Sequence, residues 1–144
     1  AVTRSVMIAV ISIITFMLLI EMQITNYLTL ITFTFLSSFI LGNVGIIAGL
    51  WAEKFDNMAT VTNFVIVPLS FLSGTFYTID KLPSFLPTIS EFNPFFYMID
   101  GFRYSFIGKA DGSITIGLIY LSILSVLTWF ITYLLYKKGY KIKS

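Results

Sequence analysis

Charged residues are spaced so widely along this chain that the segments between them match the length of a bilayer-crossing helix. There are 16 uncharged residues between Arg4 and Glu21 and 31 between Glu21 and Glu53. A further 23 lie between Asp56 and Asp80, and 25 between Asp111 and Lys137. A spanning helix needs roughly 17–25 apolar residues. The pattern predicts four spans, at about 5–20, 27–51, 58–77 and 114–136. The first is the shortest, and Arg4 can extend it by snorkelling to the interface. Composition agrees: the 144 residues are 57% hydrophobic and only 11% charged, with a mean hydropathy of +0.91. Soluble domains are about 25% charged, and a small soluble fold cannot bury this much apolar surface.

The expected fold class is an all-α integral membrane protein forming a single membrane domain over residues 1–144. It has four transmembrane helices plus a pair of short external re-entrant or interfacial helices. The external pair comes from the stretch between Asp80 and Asp111, which is too apolar for a solvated loop. Its first helix is expected at about 81–90, broken by Pro83 and Pro87, and its second at about 94–107. Asn93 followed by Pro94 reads as a helix start, and Gly108 as a stop. Phe95, Ile99, Phe102 and Phe106 recur at helical spacing as one apolar stripe, with Tyr97, Asp100 and Tyr104 opposite. That pattern is an amphipathic helix at a membrane surface.

Basic residues set the orientation. Arg4, Lys54, Lys137, Lys138, Lys141 and Lys143 fall on one side, and Lys81, Arg103 and Lys109 on the other. Both ends and the Glu53–Asp56 turn are therefore expected in the cytoplasm. The lysines from Lys137 onward read as an anchor to anionic lipid.

Two features mark individual spans. The run Asn57–Ile79 carries Pro68 near its middle, which removes a backbone donor and presses on the carbonyl of Phe64. Either a hinge or a fixed kink follows. The second span carries Ser38, Gly42, Gly45 and Gly49 on one helical face. Small residues let helix backbones approach closely. That face suits packing within the chain, a dimer contact or a moving contact.

The chemistry legible here is mostly negative. There is no cysteine and no histidine. That removes disulfides, thiolate chemistry and the commonest metal ligands and proton carriers. A net charge of +2, with no basic cluster except at the C-terminus, gives no sign of nucleic acid binding. No cofactor is expected. Glu21, Glu53, Asp56, Asp80, Glu91, Asp100 and Asp111 all fall at span ends or outside them. Proton-coupled carriers place a carboxylate at membrane depth, so any transport here is expected to draw its energy from a partner, the alternative being sodium held by backbone and hydroxyl oxygens. An intramembrane enzyme would need reactive groups at that depth, and only hydroxyls are present. Asp100 and Arg103, three apart, can form an interfacial ion pair, an external gate or a contact to an anionic substrate group.

One ordered set of motifs resembles a known family. It begins with Ala52-Glu53-Lys54-Phe55-Asp56 and the run from Asn63 through Val67-Pro68-Leu69-Ser70 to Ser73-Gly74-Thr75-Phe76-Tyr77. Leu82-Pro83, Asn93-Pro94, Asp100-Gly101-Phe102-Arg103 and Gly108 follow. Together they resemble type-2 ABC exporter permeases of the bacterial branch that exports drugs, polysaccharides or lipid-linked glycans. The resemblance implies the C-terminal portion of a six-span permease in the bacterial inner membrane. It implies cytoplasmic ABC ATPase subunits and a second permease copy as partners, with membrane lipid around them and ATP hydrolysis in the partner. In that reading Asn63, Pro68, Ser73 and Gly74 are family-motif or pathway candidates. Asn93, Pro94, Asp100 and Arg103 are external-gate candidates, and Arg4, Glu53, Lys54 and Asp56 would contact the ATPase. The alternative is a non-transporting membrane scaffold or assembly subunit, which the small-residue face suits equally well.

Overall fold

The computed structural model describes residues 2–19, 24–52, 59–73 and 90–138. Among these residues the structure is helical, with no strand. We label α1 Val2–Leu19, α2 Tyr27–Trp51, α3 Ala59–Phe71, α4 Pro94–Ile107 and α5 Ile114–Lys137. Of these, α2 and α5 are long and apolar enough to cross a membrane by themselves. Only 39% of the apolar stretch of α2 and 22% of that of α5 is buried, whereas the core helix of a soluble protein is mostly buried. Ile119, Ile123, Val126, Leu127 and Phe130 stand exposed along α5. In water such a surface would drive aggregation, and in a bilayer it is matched by acyl chains.

Local chemistry explains where the helices begin and end. The Asn26 side chain accepts a hydrogen bond from the Thr29 amide at 3.1 Å and starts α2. Ser113 does the same for Ile116 at 3.4 Å and starts α5. Asn93 caps α4 by accepting from the Phe95 amide at 3.0 Å, with Pro94 in the first turn. Gly108 ends α4 at φ 73°, a left-handed conformation that costs a β-carbon-bearing residue about 1–2 kcal/mol. Several hydroxyls inside the helices donate to their own backbone, whereas the buried Ser37 hydroxyl meets no partner among the described residues. Thr32 donates to the Leu28 carbonyl at 2.8 Å, Ser122 to Leu118 at 2.7 Å and Thr128 to Leu124 at 2.9 Å. These bonds let polar side chains sit at membrane depth without an unmatched proton.

Pro68 has a distinct local outcome. The residues before it, Thr62–Ile66, form a π-helical turn, and the Val67 amide reaches back to the Thr62 carbonyl. The helix then resumes in α form from Val67 to Phe71. A π-turn accommodates one extra residue and commonly marks a functional irregularity. Helix α3 is therefore irregular in the turn preceding its proline rather than simply bent at it.

The core lies where α2, α4 and α5 meet. Phe33 and Ile40 of α2, Phe96, Tyr97 and Met98 of α4, and Leu121 of α5 form it. Its closest approach is between α2 and α4, where the Phe33 ring packs on the bare Cα of Gly101 and a β-carbon at 101 would overlap it. The Tyr97 ring lies 5.1 Å from Phe96 and 5.0 Å from Tyr120 of α5, centroid to centroid. Helix α1 packs on α2, and α3 reaches α4.

Candidate functional site

The end of the molecule at which α4 lies gathers the end of α3 and the starts of α2 and α5. Four sets of polar contacts tie these elements to α4.

The first set faces α3. Asn93 is 3% exposed and its Nδ2 donates to the Leu69 carbonyl at 2.6 Å. Ser90 is fully buried and its Oγ donates to the Leu72 carbonyl at 3.0 Å. The second set faces the start of α2. The Ser105 carbonyl accepts from the amides of Thr25 at 2.8 Å and Asn26 at 3.1 Å, and Thr25 Oγ1 donates to the Phe106 carbonyl at 2.9 Å. The third set faces the start of α5. Asp100, 2% exposed, accepts from the amides of Asp111 at 2.8 Å and Gly112 at 2.9 Å. Arg103 lies 3.5 Å from the Asp100 carboxylate and also pairs with Asp111. The fourth is Tyr120 of α5, whose hydroxyl donates to the Phe92 carbonyl at 2.8 Å.

Electrostatics explain why these groups tolerate burial. A buried carboxylate is costly unless paired and hydrogen-bonded. Asp100 meets that condition through two amides and a guanidinium, and such charge-assisted bonds are the stronger kind. Burial, together with the nearby charges of Glu91 and Asp100, raises the Tyr97 phenol above its ordinary pKa, so it stays neutral in the core.

The sequence marks Tyr97 and Asp100 as one polar face of α4, opposite a phenylalanine stripe. The structure packs most of that face inward: Tyr97 and Asp100 are buried together with Phe96, Met98, Gly101 and Ser105, while Tyr104, like Phe95, Ile99, Phe102 and Phe106, is half-buried. Asp100 finds its partners inside the protein, and the apolar stripe can meet lipid. Asp100 accordingly spends its oxygens on the turn at 111–112, not on Arg103 alone.

The remaining predicted residues are scattered. Asn63 is exposed within the π-turn, and Pro68 is exposed just after it. Ser73 is fully buried and its hydroxyl donates to the Ser70 carbonyl. Arg4 is exposed on α1. Gly74, Glu53, Lys54 and Asp56 lie outside the described residues, as does most of the expected first external helix. Along the small-residue face Ser38 is buried and Gly42 half-buried, but a β-carbon at Gly45 or Gly49 would meet nothing within 4 Å. The described residues thus leave the second half of that face uncovered. The close packing falls instead at Gly101 and at Gly117, where a β-carbon would come within 3.0 Å of the Tyr97 ring.

Sequence reasoning missed Ser90, Thr25, Asp111 and Tyr120. Asp111-Gly112 carried a usable signal, since that dipeptide marks a turn, and a turn's free amides attract a carboxylate. Nothing local distinguished Ser90 or Tyr120.

Two apolar grooves flank the bundle. One, of about 290 Å³, lies between α1 and α2 along Val10, Ile13, Ile31 and Phe35. The other, of about 310 Å³, lies between the far ends of α2 and α5 along Ile46, Leu50, Trp129 and Tyr133.

Comparison with known proteins agrees with the motif pattern. A family model described as ABC-2 type transporter matches residues 1–107. The inner membrane transport permease YadH of Escherichia coli K12 is 36% identical over 100 residues, which is 69% of this chain and 39% of that protein. Proteins of the same name from Escherichia coli O157:H7 and Shigella flexneri match equally. The chain thus spans about two fifths of the length of the curated relatives it matches. No solved structure matches it significantly.

Proposed function

This chain belongs to the ABC-2 type transporter family, and from that premise we propose that it is the C-terminal membrane portion of the permease of an ATP-driven exporter. The observation that carries the reading is the family match over residues 1–107, which includes α1 to α4 and every motif from Glu53 to Arg103. The cargo class is a drug, polysaccharide or lipid-type molecule. The uncharged spans and the apolar grooves suit a large or amphipathic cargo better than a small ion.

In this proposal residues 5–20, 27–51, 58–77 and 114–136 cross the inner membrane, and 81–90 and 94–107 form the external pair. The Trp51 and Lys137 ends of α2 and α5 then face the cytoplasm. Arg4, Glu53, Lys54 and Asp56 lie on the side where ATPase subunits dock. Asn63, Pro68, Ser73 and Gly74 belong to the helix nearest the path, and Asn93, Pro94, Asp100 and Arg103 to the external closure. A second permease copy completes the path. The meeting of the end of α3 with the starts of α2 and α5 at α4 supports alternating crossings.

Two experiments test this reading. The full-length permease should co-purify with an ATPase subunit, and transport in vesicles should require hydrolysable ATP. Transport driven by an ion gradient alone, with no ATPase bound, would overturn it. Topology is tested separately, since these 144 residues contain no cysteine. Lys81→Cys and Lys138→Cys should label from opposite sides of the membrane, and labelling from one side refutes the four crossings.

A further inference from the structure

The last turn of α3 is capped by side chains of another element. In a continuing α-helix the Leu69 carbonyl would accept from the Ser73 amide. Here the Ser73 amide turns to the Ser70 carbonyl at 3.3 Å, and Leu69 is met by Asn93 Nδ2 at 2.6 Å. The Leu72 carbonyl is likewise met by Ser90 Oγ at 3.0 Å. Helix ends leave such carbonyls orphaned, and in a water-poor setting each bond to one is strengthened. Both donors are buried, Ser90 at 0% and Asn93 at 3% exposure.

Asn93 is committed at both ends of its amide. Its Nδ2 holds α3, while its Oδ1 accepts from the Phe95 amide and starts α4. A rotation that freed α3 would also uncap α4. Helix α4 is in turn tied to the start of α2 through Ser105 and to the start of α5 through Asp100. Directly before the capped part of α3 lies the π-turn Thr62–Ile66, followed by Pro68, which offers no amide to the Phe64 carbonyl.

We propose that Ser90 and Asn93 are positioning residues that clamp the Pro68–Ser73 end of α3 to α4, so that the two move as one body and α3 bends in its π-turn. Pro68 then sits on the clamped side and is not itself the hinge. The inference rests on the exporter reading for the motion it constrains.

The test uses the full-length permease with its ATPase subunit in lipid nanodiscs, with spin labels on cysteine pairs. Thr60→Cys with Ile107→Cys reports across the π-turn, and Phe71→Cys with Ile107→Cys reports within the clamped body. Nucleotide-free and ATP–vanadate-trapped states are compared by pulsed dipolar spectroscopy. The expected result is a shifted 60–107 distance and an unchanged 71–107 distance. Asn93→Asp keeps the acceptor that caps Phe95 but loses the donor to Leu69. It should therefore leave α4 folded and make the 71–107 distance respond to nucleotide, and Ser90→Ala should do the same more weakly. The proposal fails if the 71–107 distance moves as much as the 60–107 distance in the unsubstituted chain. It fails too if Asn93→Asp leaves the 71–107 distance fixed, or if neither pair responds while the ATPase is bound. Absence of a bound ATPase would instead sink the exporter reading, and the clamp with it.

Discussion

The two ends of this helical bundle solve the problem of a membrane interior in opposite ways. At the α4 end, polar groups are paired: buried Asp100 on two amides, buried Asn93 and Ser90 on carbonyls of α3, and exposed Thr25 on α4. At the far end, around Gly45, Gly49 and Trp129, the surface is apolar and open, and the Trp129 and Tyr133 rings stack on one another at 5.9 Å. The first end holds itself together by directional bonds. The second presents a smooth surface for lipid or another protein segment to cover. Directional bonds tolerate few substitutions, whereas an open apolar surface tolerates many, and the substitutions below exploit that asymmetry.

The largest effect is expected for Asp100→Ala. It strands the backbone amides of Asp111 and Gly112, while Arg103 keeps its pairing with Asp111, and each donor left unsatisfied in this way costs about 1–3 kcal/mol. A thermal melt of the purified permease in detergent should show it, and a wild-type melt would mean that the carboxylate is not what holds the 111–112 turn. Next is Gly101→Leu, which drives a side chain into the Phe33 ring and should cost about 1–3 kcal/mol by overpacking. Relief of that loss by Phe33→Ala in the same background would locate the clash. Gly108→Ala should cost roughly 1–2 kcal/mol because of its left-handed backbone, read in the same melt. Smallest is the pair Gly45→Ala and Gly49→Ala, where the open surface predicts a change within about 1 kcal/mol, of either sign. A large loss there would show that this surface is covered in the assembled protein and would erase the contrast between the two ends.

The motifs at the α4 end were legible because they obey local rules. Asn93-Pro94 and Gly108 bound a helix by their own backbone preferences, and that helix runs Pro94–Ile107. The stripe Phe95, Ile99, Phe102 and Phe106 was legible as one face, but its orientation was not. In water an apolar stripe points to the core. Next to lipid both sides are apolar, and the need to pair Asp100 decides instead. The small-residue face of α2 was legible only in part, for a related reason. Spacing shows that Gly45 and Gly49 permit close approach, but not which element approaches, and among the described residues Gly101 and Gly117 take that role. The partner of Ser90 lies 18 residues away on another helix, and no local pattern encodes it.

By itself the sequence determined that this protein is helical and built for a membrane, where α2, α4 and α5 begin, and which family it belongs to. Those properties follow from hydropathy, capping chemistry and ordered motifs, all of which act over short stretches of chain. Tertiary structure alone decided that the polar face of α4 turns inward, that Asp100 latches the turn before α5, and that Asn93 and Ser90 cap the end of α3. Such contacts join residues far apart in the chain. Where lipid is as apolar as a protein core, hydrophobicity cannot choose among packings, and the pairing of the few polar groups makes the choice.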